Sequence, residues 1–416
     1  MKKQYFMLFF IILPYIVSAQ DTLRLNYEEA QRMLLQQNLK VLASYYEISM
    51  AEADVVQSKL WQNPYFSWNQ DIFNIPKNDY FNFQNQFSIQ VEQVFSVSGK
   101  HLWGVRLAKL GVKQNKIQLQ DVLRGLLFEL GEKYIALHTA QQKRNLYVQV
   151  LNRYDKLIQS TENKLKVGAI SKNEVVRLKS EKITLLNDVI HNQNDIIEMS
   201  SEIRKLLNIK ENIAISIPES PFILKDESLN VDNLITEALN TRPDLSLAKL
   251  NIEYSDANLK SEKAQATPDL KLGYQPSDRG SNYVLPYQGM LFEASIPIFD
   301  RNQGGIKKAK LKIEQSKINY AQVDNVVRND VINAFGQWTN IKTGIQNFTS
   351  NLLSEMQEIS KNSDLNYENK NINLLQYIDL QRIYTQNQLE YIEMQKKFKQ
   401  SINRLNFSVG KEIIKF

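Results

Sequence analysis

The chain has 416 residues, with 51 Lys and Arg against 45 Asp and Glu, a net charge of +6 and no cysteine. That balance is too mild to argue for nucleic acid as a partner, and the missing thiols exclude disulfides, thiol catalysis and thiolate metal sites. The length suffices for two or three ordinary domains.

The first segment reads as a leader. Lys2 and Lys3 precede an apolar run from Tyr5 to Val17 and then Ser18-Ala19-Gln20. This is the pattern of a secretory signal covering 1–19, cut after Ala19. A signal-anchor helix is the alternative, but the run is short for a membrane span. Without Lys2 and Lys3 the charge falls to about +4, and no Cys stands at the cut to carry a lipid anchor. No later stretch reaches eighteen apolar residues, so no transmembrane helix is expected after the signal.

Beyond the leader the chain is duplicated. Ala53, Lys59, Pro64 and Phe95 recur 204 positions later as Ala257, Lys263, Pro268 and Phe299. Further along, "VGAISKNEVVRLK" (167–179) pairs with "NKNINLLQYIDLQ" (369–381). The expectation is a first repeat over 20–208, a connector over 209–230 and a second repeat over 231–416; a period this long indicates duplicated halves, not a solenoid of short repeats.

Each half runs in the same order. A helical stretch (about 27–62, or 231–266) should stop at Asn63-Pro64 or Thr267-Pro268, because proline lacks an N–H and pushes its predecessor out of the α region. A strand pair follows (about 64–97, or 268–299), then a long helical pattern (about 98–163, or 304–366). A short tip (about 164–171, or 367–373) leads to a last helix (about 172–208, or 373–407). Sixty-odd helical residues span on the order of 100 Å, which suits a coiled-coil array better than a compact globule.

The strands alternate. Phe81, Phe83, Phe87, Ile89 and Val91 occupy odd positions, against Asn82, Gln84, Gln86, Ser88, Gln90 and Glu92. Phe66, Trp68 and Ile72 form the earlier apolar row. In the second half Leu270, Leu272 and Tyr274 face Asp269, Lys271 and Gln275, and Met290, Phe292, Ala294, Ile296 and Ile298 form the return row. Roughly ten-residue strands, apolar outside and polar inside, are the signature of a transmembrane barrel. A half-buried soluble sheet also alternates. The return strands differ in parity between the halves, so one residue must be absorbed; Pro297, without a ladder N–H, suits that bulge. Four strands cannot close a barrel, and an open edge is not tolerated in lipid. Three copies give twelve strands.

With "LNYEEA" (25–30), "VFSVSGK" (94–100), "VGAIS" (167–171), "TRPDL" (241–245) and "IPIFDRNQGGI" (296–306) in this order and duplicated, the chain resembles the TolC family of outer-membrane efflux ducts over essentially its whole mature length. The turn "FDRNQGG" is most similar to the cation-efflux (CusC/CzcC-like) branch. The resemblance implies a mainly α protein with transmembrane β: a homotrimer with a twelve-stranded barrel in outer-membrane lipid, continuous with a long periplasmic α-helical barrel. It further implies docking on a periplasmic adaptor (membrane fusion) protein, which couples the duct to an inner-membrane RND-type pump in a Gram-negative cell. Two departures stand out. The branch's common lipid-anchor Cys is absent, and Lys370-Asn371 replaces Gly168-Ala169 in the second tip, so the two turns are expected to differ in shape and role.

Pro64, Gly99, Pro268, Gly304 and Gly305 mark the strand–helix junctions. Gly permits backbone angles that other residues avoid, and Ser96, Ser98, Asp300 or Asn302 could cap the new helices; a phosphate loop would need a different spacing. Around the first tip, Val167, Gly168, Ala169, Ile170 and Ser171 read either as a plain αα-hairpin turn or, by resemblance with Lys370 and Asn371, as the adaptor contact. His101, His138 and His191 are far apart, so no metal cluster is visible; no catalytic set stands out, no cofactor is expected, and an enzyme is not expected. Asn373, Gln376 and Asp379, three apart, form one polar arc. This is an ordinary solvated face or, by resemblance, part of a gate formed by Asp379, Gln376 and Tyr367, with Ile372 where the family's lock has Arg.

The expected function is passive exit of metal cations or drugs from a tripartite efflux system. The alternatives are the exit duct of a type I protein secretion system and, in another class, a periplasmic coiled-coil scaffold.

Overall fold

A computed structural model describes residues 22–415 except 76–77, 81–85, 220–221, 223–227, 280–284 and 348–349. The expected leader, and Phe81 and Phe83 of the first apolar row, lie outside the described residues. The first half contains β1 (Thr22–Arg24), α1 (Tyr27–Gln37), α2 (Leu39–Ser58), β2 (Tyr65–Gln70), β3 (Phe73–Asn74), β4 (Asp79–Tyr80) and β5 (Phe87–Phe95). Then come α3 (Lys100–Lys166), α4 (Lys172–Leu206) and β6 (Ala214–Ser216). The second half contains α5 (Val231–Thr241), α6 (Pro243–Gln265), β7 (Leu270–Asp278), β8 (Tyr287–Ala294), α7 (Gln303–Asn347), α8 (Ser350–Glu368) and α9 (Leu374–Val409).

The chain folds into two compact units, and neither is a sequence half. One takes residues 35–132, 224–355 and 393–416, the other residues up to 34, 133–223 and 356–392. The halves intermix because their matching segments pair with each other.

In the first of these units the sheet order is β2-β5-β7-β8, antiparallel throughout, so β5 and β7 join the two hairpins. Register puts Phe66, Val91, Tyr274 and Met290 in one row across the sheet, and Phe95, Leu270 and Ala294 in another. These belong to one apolar face, and it is open: Met290 is 74 % exposed and Phe292 73 %. The opposite face carries Ser67, Gln90, Glu92 and the Lys271–Glu293 ion pair at 3.2 Å.

The absorbed residue is not at Pro297. Between β5 and β7 the register passes from Ile89↔Ser277 to Val91↔Tyr274, and between β7 and β8 from Gln275↔Gly289 to Asp278↔Tyr287. Both neighbours therefore count one extra residue in β7, around Pro276, whose missing N–H the bulge accommodates. β8 ends at Ala294 instead of continuing to Ile298. Ile298 N–H donates to Ile296 C=O at 3.0 Å, a tight turn about Pro297 that suits its fixed φ. Phe299 is thus no strand partner to Phe95; it stands 90 % exposed beyond the sheet.

The early helices are also shorter than expected. Asn38 separates α1 from α2, its Oδ1 accepting from Lys40 N–H at 2.9 Å and Val41 N–H at 3.3 Å. Pro243 opens α6 at its first turn, where a missing N–H is harmless. α2 stops at Ser58, well before Pro64, so Pro64 marks entry into β2 and not the helix end; α6 stops at Gln265, close to Pro268. At the junctions Gly99 has φ +78, which explains a glycine there. A Cβ on Gly305 would meet Asn302 Oδ1 at 2.2 Å and Glu262 Oε2 at 2.6 Å, whereas one on Gly304 would meet nothing. The serine caps do not form: the Ser96 and Ser98 hydroxyls are buried without a hydrogen bond. Asn302 turns its side-chain amide to Glu262 on α6 at 2.6 Å, and the Asp300 carboxylate accepts from the Asn302 N–H at 2.9 Å.

α6 lies along α7, presenting small buried residues, Ala248, Ser255, Ser261 and Ala264. The Ser255 and Ser316 hydroxyls meet at 2.9 Å. At its other end the motif "TRPDL" clamps the end of α9. Thr241 Oγ1 donates to Val409 C=O at 2.6 Å, and Arg242, 3 % exposed, donates to Ser408 C=O at 3.2 Å and to Asp330 at 2.9 Å. Its guanidinium also forks onto Asp244, with Nε at 3.0 Å and Nη2 at 2.5 Å. Burial opposes the Asp244 charge, but the Arg242 hydrogen bonds and charge, with Arg124 beyond, hold its carboxyl below the usual range. Replacing Arg242 by Ala leaves Asp330 without its cation and Asp244 with only Arg124 at 3.6 Å, and should destabilise by about 3 kcal/mol, read as a fall in the Tm of detergent-solubilised protein. Because the Asp244 pKa is depressed, the wild-type contribution should persist above the ordinary Asp pKa of about 3.9 and fade only as pH falls through the folded value.

Candidate functional site

The second unit contains both helical turns. Its two short strands β1 and β6 pair in parallel; both escaped the sequence reading, β6 because it sits inside the expected connector. Beneath the turns is a core of Leu146, Tyr147, Val150 and Tyr154 from α3, Leu178 and Leu185 from α4, Tyr367 from α8, and Leu374, Tyr377 and Ile378 from α9.

The first turn closes α3 with Gly168 at φ +72. Ala169 N–H reaches Lys164 C=O at 2.9 Å and Gly168 N–H reaches Leu165 C=O at 2.9 Å, the paired bonds of a Schellman motif. Its partner is built identically. Asn371 N–H reaches Asn366 C=O at 2.8 Å and Lys370 N–H reaches Tyr367 C=O at 3.1 Å, with Lys370 at φ +62. The expected difference in shape is therefore absent: Lys370 takes the left-handed conformation of Gly168, at about 1–2 kcal/mol for a residue with a Cβ. Each following helix is capped alike. Glu174 accepts from the Ser171 N–H at 3.5 Å and its hydroxyl at 3.4 Å. Asn373 and Gln376 exchange bonds, the Gln376 N–H donating to Asn373 Oδ1 at 2.9 Å and the Asn373 N–H to Gln376 Oε1 at 3.0 Å.

The two turns share one open cavity of about 640 Å³, lined by Ala169 and Ile170 from the first and Tyr367, Lys370 and Asn371 from the second. Val167 is 78 % exposed beside it, and Ile170 is half-buried. The structure thus brings the tip residues together. Of the three gate residues, Gln376 and Asp379 lie three apart on α9 and Tyr367 lies on α8. Tyr367 is buried in the core, its ring 5.2 Å from that of Tyr377 and under the Lys164 ammonium at 5.5 Å. Burial first, then the Glu174 charge, push its hydroxyl up. Gln376 is engaged in its cap, and Asp379 pairs with exposed Arg382 at 3.0 Å, one turn on. Within one chain the polar arc thus comprises a cap followed by an ion pair.

Sequence reading missed a buried polar network below the turns. Gln381, 3 % exposed, donates to Ser360 C=O at 3.1 Å, Ser363 Oγ at 2.8 Å and Asp364 Oδ1 at 3.3 Å. Arg153 donates to Ser360 Oγ at 2.7 Å and to Gln381 Oε1 at 3.2 Å, and Tyr377 donates to Asp364 at 2.8 Å. Burial and then Asp364 push the Tyr377 hydroxyl well above its usual range. The available signal was Gln381 in the apolar row Leu374, Tyr377, Ile378, Tyr384.

Among the described residues no group of three or more His, Asp or Glu is placed to hold a metal ion, and no described helix is long and apolar enough to cross a membrane. Residues 234–411, from within α5 to just past α9, match the family described as outer membrane efflux protein. The chain superposes on the Campylobacter jejuni CmeC outer membrane channel with a TM-score of 0.77 at 14 % identity, covering 94 % of this chain and 87 % of that one. The fold is that of a TolC-family outer-membrane efflux channel. A CusC structure gives a TM-score of 0.74 at 15 % identity, with 92 % of both chains covered. In sequence, the probable outer membrane lipoprotein SilC of Salmonella typhimurium is 21 % identical over 225 residues, 50 % of this chain and 48 % of that protein. The match therefore spans about half the length of that relative.

Proposed function

We propose that the chain is the outer-membrane exit duct of a tripartite efflux system, a passive channel and not an enzyme. The observation that carries this reading is the four-stranded sheet, with one exposed apolar face and two unpaired edges, β2 and β8, whose strands lead into long helices. In lipid those edges must pair, and three copies would close a barrel of twelve strands with the polar face inward. The same exposed apolar face argues against a periplasmic scaffold. A charged residue on the lipid face should block assembly: Met290→Arg, near the middle of β8, should cost about 2–4 kcal/mol at the midplane and abolish trimer in the outer-membrane fraction. Normal trimer yield in this variant, or a detergent-free soluble monomer of the wild type, would remove the barrel.

Within that reading the substrates are metal cations or drugs, and the 21 % identity to SilC is what favours cations. The adaptor contact is the pair of turns around Val167–Ser171 and Lys370–Asn371, supported by their shared cavity and exposed Val167. Lys370 demonstrates that a side chain is tolerated in this turn, and a Cβ on Gly168 meets nothing within 4 Å. Gly168→Glu should therefore preserve trimer yield while abolishing adaptor crosslinking and efflux-dependent resistance. Survival of both would reduce the turns to connectors.

The constriction is assigned to Asp379, which symmetry would repeat as a ring alternating with Arg382. Gln376 and Tyr367 act there as supports, through the cap and the core. Removing the carboxylates leaves the guanidinium charges, so Asp379→Asn should shift single-channel selectivity from cations towards anions. Unchanged selectivity would place the constriction elsewhere.

A further inference from the structure

Register places the four strand ends that connect to helices at one end of the sheet: Tyr65 lies near Glu92, and Phe95, Leu270 and Ala294 share a row. Just past that end the chain exposes Trp61, Val97, Ile296, Ile298 and Phe299. Trp61 stacks on His101 at 4.7 Å. Aromatic and apolar side chains at a strand end are what a membrane–water interface accommodates.

The next turns of helix are basic. Arg301, Lys307, Lys308, Lys310, Lys312 and Lys317 occur before and around a single acid, Glu314. Lys307, Lys308 and Lys310 are exposed and form no ion pair among the described residues. Of the nearby carboxylates, Glu314 pairs with Lys317 at 2.9 Å and Asp269 with Lys100 at 2.9 Å, while Glu262 lines the groove itself and accepts from the Asn302 amide at 2.6 Å. Lys307, Lys308 and Lys312 line an open groove of about 870 Å³ between α6 and α7, with Tyr254, Asn258 and Gln315 as further polar groups. Three lysines against the one carboxylate of Glu262 leave the groove lining positive, and like charges held together on one rim repel each other unless an anion joins them.

We propose that this groove binds the headgroup of an anionic phospholipid whose acyl chains lie on the exposed apolar collar. The lysines meet the phosphate, and Tyr254, Asn258 and Gln315 supply polar contacts. The site rests on the outer-membrane reading above, which sets the collar in lipid; the basic groove specifies which lipid. Basic clusters beside a membrane segment recognise anionic headgroups by this charge complementarity.

The test uses the full chain in a non-ionic detergent. Its Tm is followed as phosphatidylglycerol or phosphatidylcholine is added at equal mole fraction, with free glycerol phosphate as a third arm. The wild type should gain about 3 °C or more with phosphatidylglycerol alone. The gain should vanish in K307Q/K308Q/K312Q and persist in K307R/K308R/K312R. An equal gain with phosphatidylcholine, an undiminished gain in the Gln variant, or the same gain from free glycerol phosphate overturns the proposal. So does a Gln variant that keeps the lipid response but alters anion permeability in bilayers, which would place the lysines on the channel lining. If the Gln variant does not assemble, the wild-type contrast between the two lipids and the Arg variant decide. Failure of the outer-membrane reading is seen separately, as a wild type that stays soluble without detergent.

Discussion

A sheet edge carries a row of backbone N–H and C=O groups that must find partners, and in lipid there is no water to supply them. β2 and β8 present two such edges, while the face they border is apolar and uncovered. Much of the chain can be derived from that demand. The hairpins of the two halves are joined through β5 and β7, so duplication supplies half of the hairpin-to-hairpin joins within one chain. The proposed trimer supplies the other half. The bulge in β7 admits Pro276 where a proline would otherwise interrupt the ladder.

The helical parts obey the same rule by other means. Where α5 gives way to α6, the freed polar groups and the end of α9 are gathered by Thr241, Arg242 and Asp244. Below the turns, Gln381 satisfies three acceptors and accepts from Arg153. Such networks are stabilising only when every member has a partner, which ties the helices to one register. The turns above them are rigid for a related reason: each Schellman motif and cap closes the orphan groups of two successive helices. A rigid, partly apolar end is suited to docking, and the paired construction gives the proposed adaptor two equivalent contacts per chain.

Local pattern made a good part of this legible. Phe66, Trp68, Tyr274, Met290 and Phe292 alternate with polar residues in the sequence and share a face in the sheet, because side chains alternate along any strand. Gly168 marked a turn since a glycine between helical stretches is the ordinary C-cap. Some local signals were overlooked: Pro243 states the start of α6, and Arg382 lies three residues from Asp379, within reach on any helix. Other features have no local signature. β1 and β6 are three residues each and exist only because they meet.

By itself the sequence determined the alternation of the strands, the two-fold repetition, the long helices and the places where they turn, all of which rest on the spacing of neighbouring residues along the chain. Tertiary structure decided the rest. Pro276 and Pro297 both lack a ladder N–H, and only the register of β5, β7 and β8 selects Pro276 for the bulge. Lys370 has no intrinsic preference for a positive φ; the packing of Tyr367 and Leu374 beneath it, together with the bonds to Asn366 and Tyr367, imposes one. Tyr367, matched to a gate residue by resemblance, has its burial against Tyr377 set by the packing of α8 on α9. Pairing, packing and burial depend on segments distant in sequence, and their energies enter only when those segments meet.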